Sequence, residues 1–245
     1  MDDDLTPPER GHYFFGQALG VDDFQAEQDY GLGKHRRHHR FLHGWGVVCG
    51  LGVTGDAGGT VTVQPGLAVD PWGREVVVAA ERTLDPRILT DDAGEPSGVE
   101  PKEDAVTLCL AYAESATHPT ATPEGTIATA RITETCHLLV RDGVPARPSR
   151  VLTREERDII LSGTAPAAER LALASSEAFS CHAPEADCVV LATVTLRGDG
   201  PGVDPWTYRS QLYSVAVLQE LVFRLARRVS RLEEPSGAEA AGSAS

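Results

Sequence analysis

Short alternations of apolar and polar residues organise the middle of this chain. In TVTVQPGLAVDPWGREVVVAA, Val61 and Val63 alternate with Thr60 and Thr62, which is typical of a strand with one buried face. Pro-Gly and Pro-Trp-Gly breaks divide this stretch into short strands joined by turns. Further strands are predicted from the runs AVTLCLAYAES, IATARITETCHLLVR and DCVVLATVTLRGDG. Loops are predicted at DDAGEPSGVEPKED and THPTATPEGT, which are rich in turn-forming residues.

A helical period appears near both ends of the chain. Asp22 and Asp23 are candidate N-caps for a helix that runs to about Leu42, with a kink or close packing expected at Gly31 and Gly33. Near the C-terminus, SQLYSVAVLQELVFRLARRVSRLEE predicts an amphipathic helix that packs on a sheet of this chain or self-associates. Two more helices are predicted from LTREERDIILSG and APAAERLALASSEAFS.

These elements predict an α+β fold that is mainly antiparallel β, with an N-terminal helix and a long C-terminal amphipathic helix. Residues 1–10 are expected to be a flexible lead-in, and residues 11–90 a helix followed by a β unit. Residues 105–234 are expected to form a strand and helix region ending in the amphipathic helix, and residues 235–245 a disordered tail.

Composition narrows the classes of function. The chain has 245 residues, a formal net charge of −14 and a pI near 4.9, which disfavours binding to nucleic acid or to an anionic membrane surface. Neither a secretory signal nor a long apolar span is present, so a cytoplasmic location is expected. The odd number of cysteines fits no common disulfide framework, and mostly free, buried thiols are expected at Cys49, Cys109, Cys136, Cys181 and Cys188.

The stretch HRRHHRFLHGWGVVCGL, which begins at His35, is the strongest concentration of unusual residues. It is interpreted as a helix-to-strand junction whose cations meet an acidic neighbour, either a partner or this chain's own loops. The residues predicted to make such contacts, together with the apolar stripe of the C-terminal helix, are Arg36, Arg37, Arg40, His43, Trp45, Leu218, Leu221 and Leu225.

Metal binding is the alternative interpretation of two clusters. His35, His39 and His43 are spaced to share one face of a continuous helix, although the interleaved arginines oppose a cation. Cys181 and Cys188 form a second candidate pair, with a wider spacing than structural zinc sites use. No nucleophile motif or phosphate-binding loop occurs, so the chain is predicted not to be an enzyme, with no catalytic residue and no cofactor.

Three stretches carry a resemblance: YFFGQALGVDDFQAEQDY, RRHHRFLHGWGVVCGLGV and VTVQPGLAVDPWGREVVV. Together they resemble a group of bacterial proteins encoded with phage-tail-like contractile injection systems and phage baseplate clusters. The resemblance covers roughly the first third of the chain. It implies a non-enzymatic structural or assembly component, a baseplate or accessory protein, located in the cytoplasm or within an assembled particle.

The partners that the resemblance implies are other particle proteins of the baseplate, sheath or tube, and a homo-oligomer is a further expectation. Nucleic acid and membrane are not expected as partners. The alternative functions are a metal-binding protein or metal-dependent enzyme that uses one of the two clusters, and a module that binds a small ligand.

Overall fold

The computed structural model describes residues 7–145, 186–197 and 200–233. Helix α1, Val21–His38, continues directly into a π-helical turn, His39–His43, and a second helix, α2, spans Val215–Glu233. Between them the described ranges contain the strands β1 Gly46–Gly50, β2 Val53–Gly55, β3 Val61–Val63, β4 Gly66–Val69, β5 Glu75–Val78, β6 Arg82–Leu84, β7 Ala105–Ala121, β8 Ile127–Asp142, β9 Val189–Thr195 and β10 Gly202–Asp204.

The strands form three antiparallel sheets with the orders β1-β4-β5, β2-β3-β6 and β10-β9-β7-β8. This confirms the prediction of a mainly antiparallel β protein with an N-terminal helix.

The chain divides into two compact units, Met1–Leu212 and Tyr213–Ser245, and α2 belongs to the second. The amphipathic packing expected of α2 stays a prediction. The helices predicted between residues 152 and 180 lie outside the described residues, as does the tail after residue 234.

The period-2 pattern of the sequence becomes one-sided burial in the short strands. In β3, Val61 and Val63 are fully buried, and in β5, Val76 and Val78 are buried while Val77 between them is 57% exposed. Successive side chains of a strand point to opposite faces, so each of these strands contributes one apolar row to the interior.

Strand β7 has a different pattern because it lies between β8 and β9 in the centre of its sheet. Its residues are buried without interruption from Val106 to Ala111. Leu108 and Leu110 point into the large core, whereas Cys109 and Ala111 belong to a small cluster on the other face. A continuous apolar run is the expected sequence of a strand that is covered on both faces.

The large core draws side chains from all three sheets. Its largest fully buried members are Val47, Leu51, Val61, Val63, Val76, Val78, Val106, Leu108, Leu110, Val189 and Leu191. Burial of this apolar surface is the main term that favours the folded state.

The start of α1 differs from the prediction. The N-cap is Gly20, and the Asp23 carboxylate accepts a hydrogen bond from the Gly20 N–H at 2.8 Å. Asp22 and Asp23 therefore lie inside the first turn, where their charge interacts favourably with the helix dipole. The close packing expected at Gly31 and Gly33 is also wrong, since a Cβ at either position would meet no atom within 4 Å.

The loop predicted after the first half of β7 is also wrong in part. β7 continues through Ala121, β8 begins at Ile127, and only the residues between them form a turn. Pro119 is paired in register with Thr129. Proline is tolerated where a strand has an open edge, and among the described strands only β8 pairs with this part of β7.

The four cysteines in the described ranges are free, but they are not all buried. Cys109 and Cys136 are buried, as predicted, whereas Cys49 is exposed, because β1 is buried only at its first two positions. A side-chain hydrogen bond with Cys188, added to burial, holds the pKa of the Cys109 thiol well above its usual range. Burial raises the pKa of the Cys136 thiol. Cys181 lies outside the described residues.

Thiol labelling should separate these cysteines. Only the thiolate is nucleophilic, so a raised pKa and burial both slow alkylation. At pH 8 we expect iodoacetamide to modify Cys49 first, and Cys109 and Cys136 to react only after denaturation. Peptide mapping by mass spectrometry gives the extent of labelling at each site. Equal labelling of Cys49 and Cys109 in the native protein would contradict the burial described here.

Candidate functional site

The stretch from His35 to Gly46 is the predicted helix-to-strand junction, and the structure confirms that interpretation. α1 ends at His38, the π-helical turn follows, and β1 starts at Gly46. The Gly44 N–H donates to the His39 carbonyl at 2.9 Å, which closes the turn. Gly44 has a φ of 85°, a conformation that favours glycine and lets the chain leave the helix toward the sheet.

A tight turn between β4 and β5 packs against this junction. The buried carboxylate of Asp70 accepts hydrogen bonds from the backbone N–H groups of Trp72 at 2.9 Å and Arg74 at 2.8 Å. It also accepts one from Nε of Arg74 at 2.5 Å. The D-P-W-G-R portion of the sequence is thus a self-contained turn, and its shape is fixed by one carboxylate.

Gly73 is the point at which this turn touches α1. A Cβ on Gly73 would lie 2.0 Å from the Arg36 carbonyl oxygen, and the residue has a φ of 81°. The Gly73 carbonyl lies 3.1 Å from Nδ1 of His39, so the Nδ1–H tautomer of that ring donates to it. Nε2 of the same ring is 3.8 Å from the Glu75 carboxylate. The backbone of α1 and the backbone of the turn between β4 and β5 are therefore in direct contact at Gly73.

The three arginines of the junction have different surroundings. Arg40 is only 3% exposed, and its guanidinium carbon lies 4.8 Å from the Phe41 ring centroid and 5.8 Å from that of Trp72. Arg36 is half-exposed and pairs with the Glu114 carboxylate at 3.6 Å. Arg37 is half-buried. Arg36 thus meets an acidic group of this chain and Arg40 meets aromatic ones, and contact of these cations with a partner stays a prediction.

The histidines are not grouped as the sequence predicted. His38, rather than His35, joins His39 and His43, with ring centroids 4.9 Å apart for His38 and His43 and 6.2 Å apart for His39 and His43. The π-helical turn is the reason, because it shifts the register by which a continuous α-helix would align His35. Within the described ranges, no group of three or more His, Cys, Asp or Glu side chains is arranged to hold a metal ion.

The remaining predicted interaction residues fall into two places. Trp45 is half-buried beside the start of β1. Leu218, Leu221 and Leu225 are 47%, 49% and 62% exposed on α2. Neither described helix is long and apolar enough to cross a membrane.

The sequence predicted only one strand of the longest hairpin among the described residues, because the run IATARITETCHLLVR covers β8 whereas the end of β7 was predicted as a loop. We call residues 114–134, the distal half of the β7–β8 hairpin, the arm. Glu114 pairs with Glu134, and the pairing continues to Ala121 and Ile127 at the tip. Nearly every arm residue is exposed, on both faces of the two strands, including Ile127 at 77% and Ile132 at 68%. At about 3.4 Å per residue each strand of the arm is roughly 25 Å long.

The base of the arm is joined to the junction through Tyr112. Its hydroxyl lies 2.6 Å from the Glu114 carboxylate and 3.0 Å from that of Glu134. The guanidinium carbons of Arg74 and Arg36 lie 4.6 Å and 5.9 Å from the centroid of its ring. Partial burial, with the hydrogen bonds to both carboxylates, raises the pKa of the Tyr112 hydroxyl, so it stays protonated as a donor.

The segment before α1 adds exposed aromatic surface. Tyr13, Phe14 and Phe15 are all more than half exposed, and Phe15 is fully exposed. Aromatic side chains are enriched in protein interfaces, and clustered apolar exposure marks binding surfaces. Their aromatic character was visible in the sequence, but their exposure was not.

Comparison with known proteins gives only distant likenesses. No family model and no curated protein sequence matches the chain. A solved structure described as the crystal structure of TssK is 13% identical with a TM-score of 0.40, over 95% of this chain and 51% of that one. A second, described as the baseplate complex from the type VI secretion system, is 14% identical with a TM-score of 0.43, over 97% and 72%. The chain spans about half the length of TssK, and likeness this distant assigns no function.

Proposed function

We propose that this chain is a non-enzymatic structural or assembly component of a contractile injection system or phage-tail-like particle. Its partners in this proposal are particle proteins of the baseplate, sheath or tube, met in the cytoplasm or within the assembled particle. The signature in the first third of the sequence supports the class of particle. The arm, whose two faces are both exposed, supports the inference that the chain acts by binding a partner protein through this hairpin.

The arm carries the proposal for a physical reason. A two-stranded hairpin with no third strand and no covering layer is marginally stable in water. Beyond Tyr112 the arm buries almost nothing, yet its register continues to the tip. Little buried surface offsets the conformational entropy lost when this hairpin is ordered, and a partner that covers the arm would supply the missing contacts. An exposed strand edge also offers unpaired backbone groups, to which a partner strand adds readily.

The connection at the base of the arm supports the same mode of action. Glu114 and Glu134 are directly opposite, and like charges in this position destabilise a strand pair. Arg36 from α1 pairs with Glu114 and so offsets part of this repulsion. The arm is therefore anchored to the junction, which in turn rests on the turn around Gly73.

A binding assay with a shortened arm tests this proposal. Replacing residues 116–132 by Asn-Gly joins Ser115 to Thr133, which are paired in register, through a favoured two-residue turn. The large core lies outside the deleted residues, so we expect the variant to unfold at nearly the same denaturant concentration. In pull-downs with the co-encoded particle proteins, the intact chain should retain a partner and the shortened chain should not.

A matched pair of point variants refines the test. Ile127→Asp places a charge at the arm tip, where the isoleucine is 77% exposed, and should weaken partner binding roughly tenfold or more. Val77→Asp places the same charge on β5, where valine is 57% exposed, and should leave binding unchanged. Equal binding by the intact and shortened chains would refute a role for the arm.

A further inference from the structure

The π-helical turn brings together two histidines that an α-helix would separate. Residues five apart in an α-helix lie about 140° apart around its axis. Here the turn His39–His43 closes by a hydrogen bond from the Gly44 N–H to the His39 carbonyl, a span of five residues. His38 and His43 therefore lie one above the other, and their Nε2 atoms are 3.1 Å apart.

This separation is the one that two ligands of a single metal ion adopt. Bonds from imidazole nitrogen to zinc measure about 2.0–2.1 Å, so ligands at angles between square and tetrahedral lie about 2.9–3.4 Å apart. The Nε2 atoms of His38 and His43 fall inside that interval. Both side chains are exposed, so an ion reaches them from solvent without a change in the fold.

We propose that His38 and His43 bind one divalent transition-metal ion through their Nε2 atoms. Imidazole nitrogen suits Zn²⁺, Cu²⁺ and Ni²⁺, whereas Mg²⁺ and Ca²⁺ prefer oxygen ligands. Water, or side chains of a bound partner, completes the coordination. The proposal is independent of the proposed function, and an isolated chain that binds no particle protein would still bind the ion.

The described chain supplies two ligands to this site, because the neighbouring side chains contact other groups. His39 is engaged elsewhere, with Nδ1 at the Gly73 carbonyl and Nε2 facing Glu75. Arg36 directs its charge to Glu114. A two-ligand site agrees with the finding that the described residues contain no arrangement of three or more metal-binding side chains.

Calorimetric titration of the chelator-treated full chain with ZnCl₂, NiCl₂ and CuCl₂, against MgCl₂ as the negative probe, tests the proposal. We expect the transition metals to bind and MgCl₂ not to bind. Loss of a residue that only orients a metal ligand already lowers metal affinity by about 10–100-fold. His38→Ala and His43→Ala, which each remove a ligand, should therefore each lower the affinity for one ion per chain by at least tenfold. His35→Ala, one turn upstream and exposed, is the matched control and should bind as the natural chain does.

Electron paramagnetic resonance of the Cu²⁺ complex adds a readout that identifies the ligands. Coupling to two imidazole nitrogens is expected for the natural chain and for His35→Ala. It should fall to one nitrogen in either site variant. The proposal is overturned if no transition metal binds, if His38→Ala and His43→Ala bind as the natural chain does, or if His35→Ala weakens binding as much. In those cases the close approach of the two rings is a hydrogen bond between one N–H and one bare nitrogen.

Discussion

Gly73→Ala should lower the free energy of unfolding by about 2–5 kcal/mol, because it combines a strained backbone with a steric clash. The residue has a φ of 81°, which non-glycine residues rarely adopt, and the new Cβ would lie 2.0 Å from the Arg36 carbonyl oxygen. Backbone on both sides leaves no flexible side chain to move aside. The turn and α1 must separate, and the hydrogen bond between His39 and the Gly73 carbonyl is lost with them.

Gly98→Ala is the matched control for this variant. Gly98 has a φ of 73°, but a Cβ there would meet no atom within 4 Å. It therefore carries the backbone strain alone and should cost about 1 kcal/mol. Urea denaturation measures both losses, and hydrogen exchange should show α1 and the π-helical turn unprotected only in Gly73→Ala. Equal losses for the two variants would mean that the helix is not held at this turn.

Leu110→Ala should strongly destabilise the core, with a loss of about 3–5 kcal/mol in the free energy of unfolding. The leucine is fully buried in the central strand β7, between Leu138 of β8 and Val189 of β9. Removing its side chain leaves a cavity that strands paired on both sides have little freedom to close.

Ile132→Ala provides the comparison within the same sheet. This isoleucine is 68% exposed on the arm, so its truncation should change the free energy of unfolding by less than about 0.5 kcal/mol. Both values come from urea titrations of the isolated chain. A loss below about 1 kcal/mol for Leu110→Ala would show that the β7–β8–β9 sheet is not packed as described.

The strands were largely predictable from the sequence because their signal is local. Alternation in β3 and β5 and the unbroken apolar run of β7 each reflect the faces that the strand buries. The second strand of the arm was predicted as part of β8, whereas the first strand, at the end of β7, was missed for the opposite reason. A strand that buries neither face has no apolar pattern to read, and Pro119 and Gly125 suggested a loop.

The histidine site could be predicted only in part. The concentration of histidines and the change from helix to strand were visible, whereas the pairing depended on a single extra residue in one turn. An α-helical register aligns His35 with His39 and His43, and the π-helical turn aligns His38 with His43 instead. The burial of Arg40 beside Trp72 was equally hidden, because that ring belongs to the turn between β4 and β5, which is distant in sequence.

The amount of this chain in purified particles shows whether it is a particle component that binds through its arm. Particles are sedimented from cells that produce either the intact chain or the chain with residues 116–132 replaced by Asn-Gly, and the ratio of chain to sheath protein is measured by mass spectrometry. If the chain is a particle component that binds through its arm, the ratio should be fixed for the intact chain and should not rise above background for the shortened chain, although the shortened chain folds. Absence of the intact chain from the particles would refute its role as a particle component, and equal amounts of both forms would refute binding through the arm.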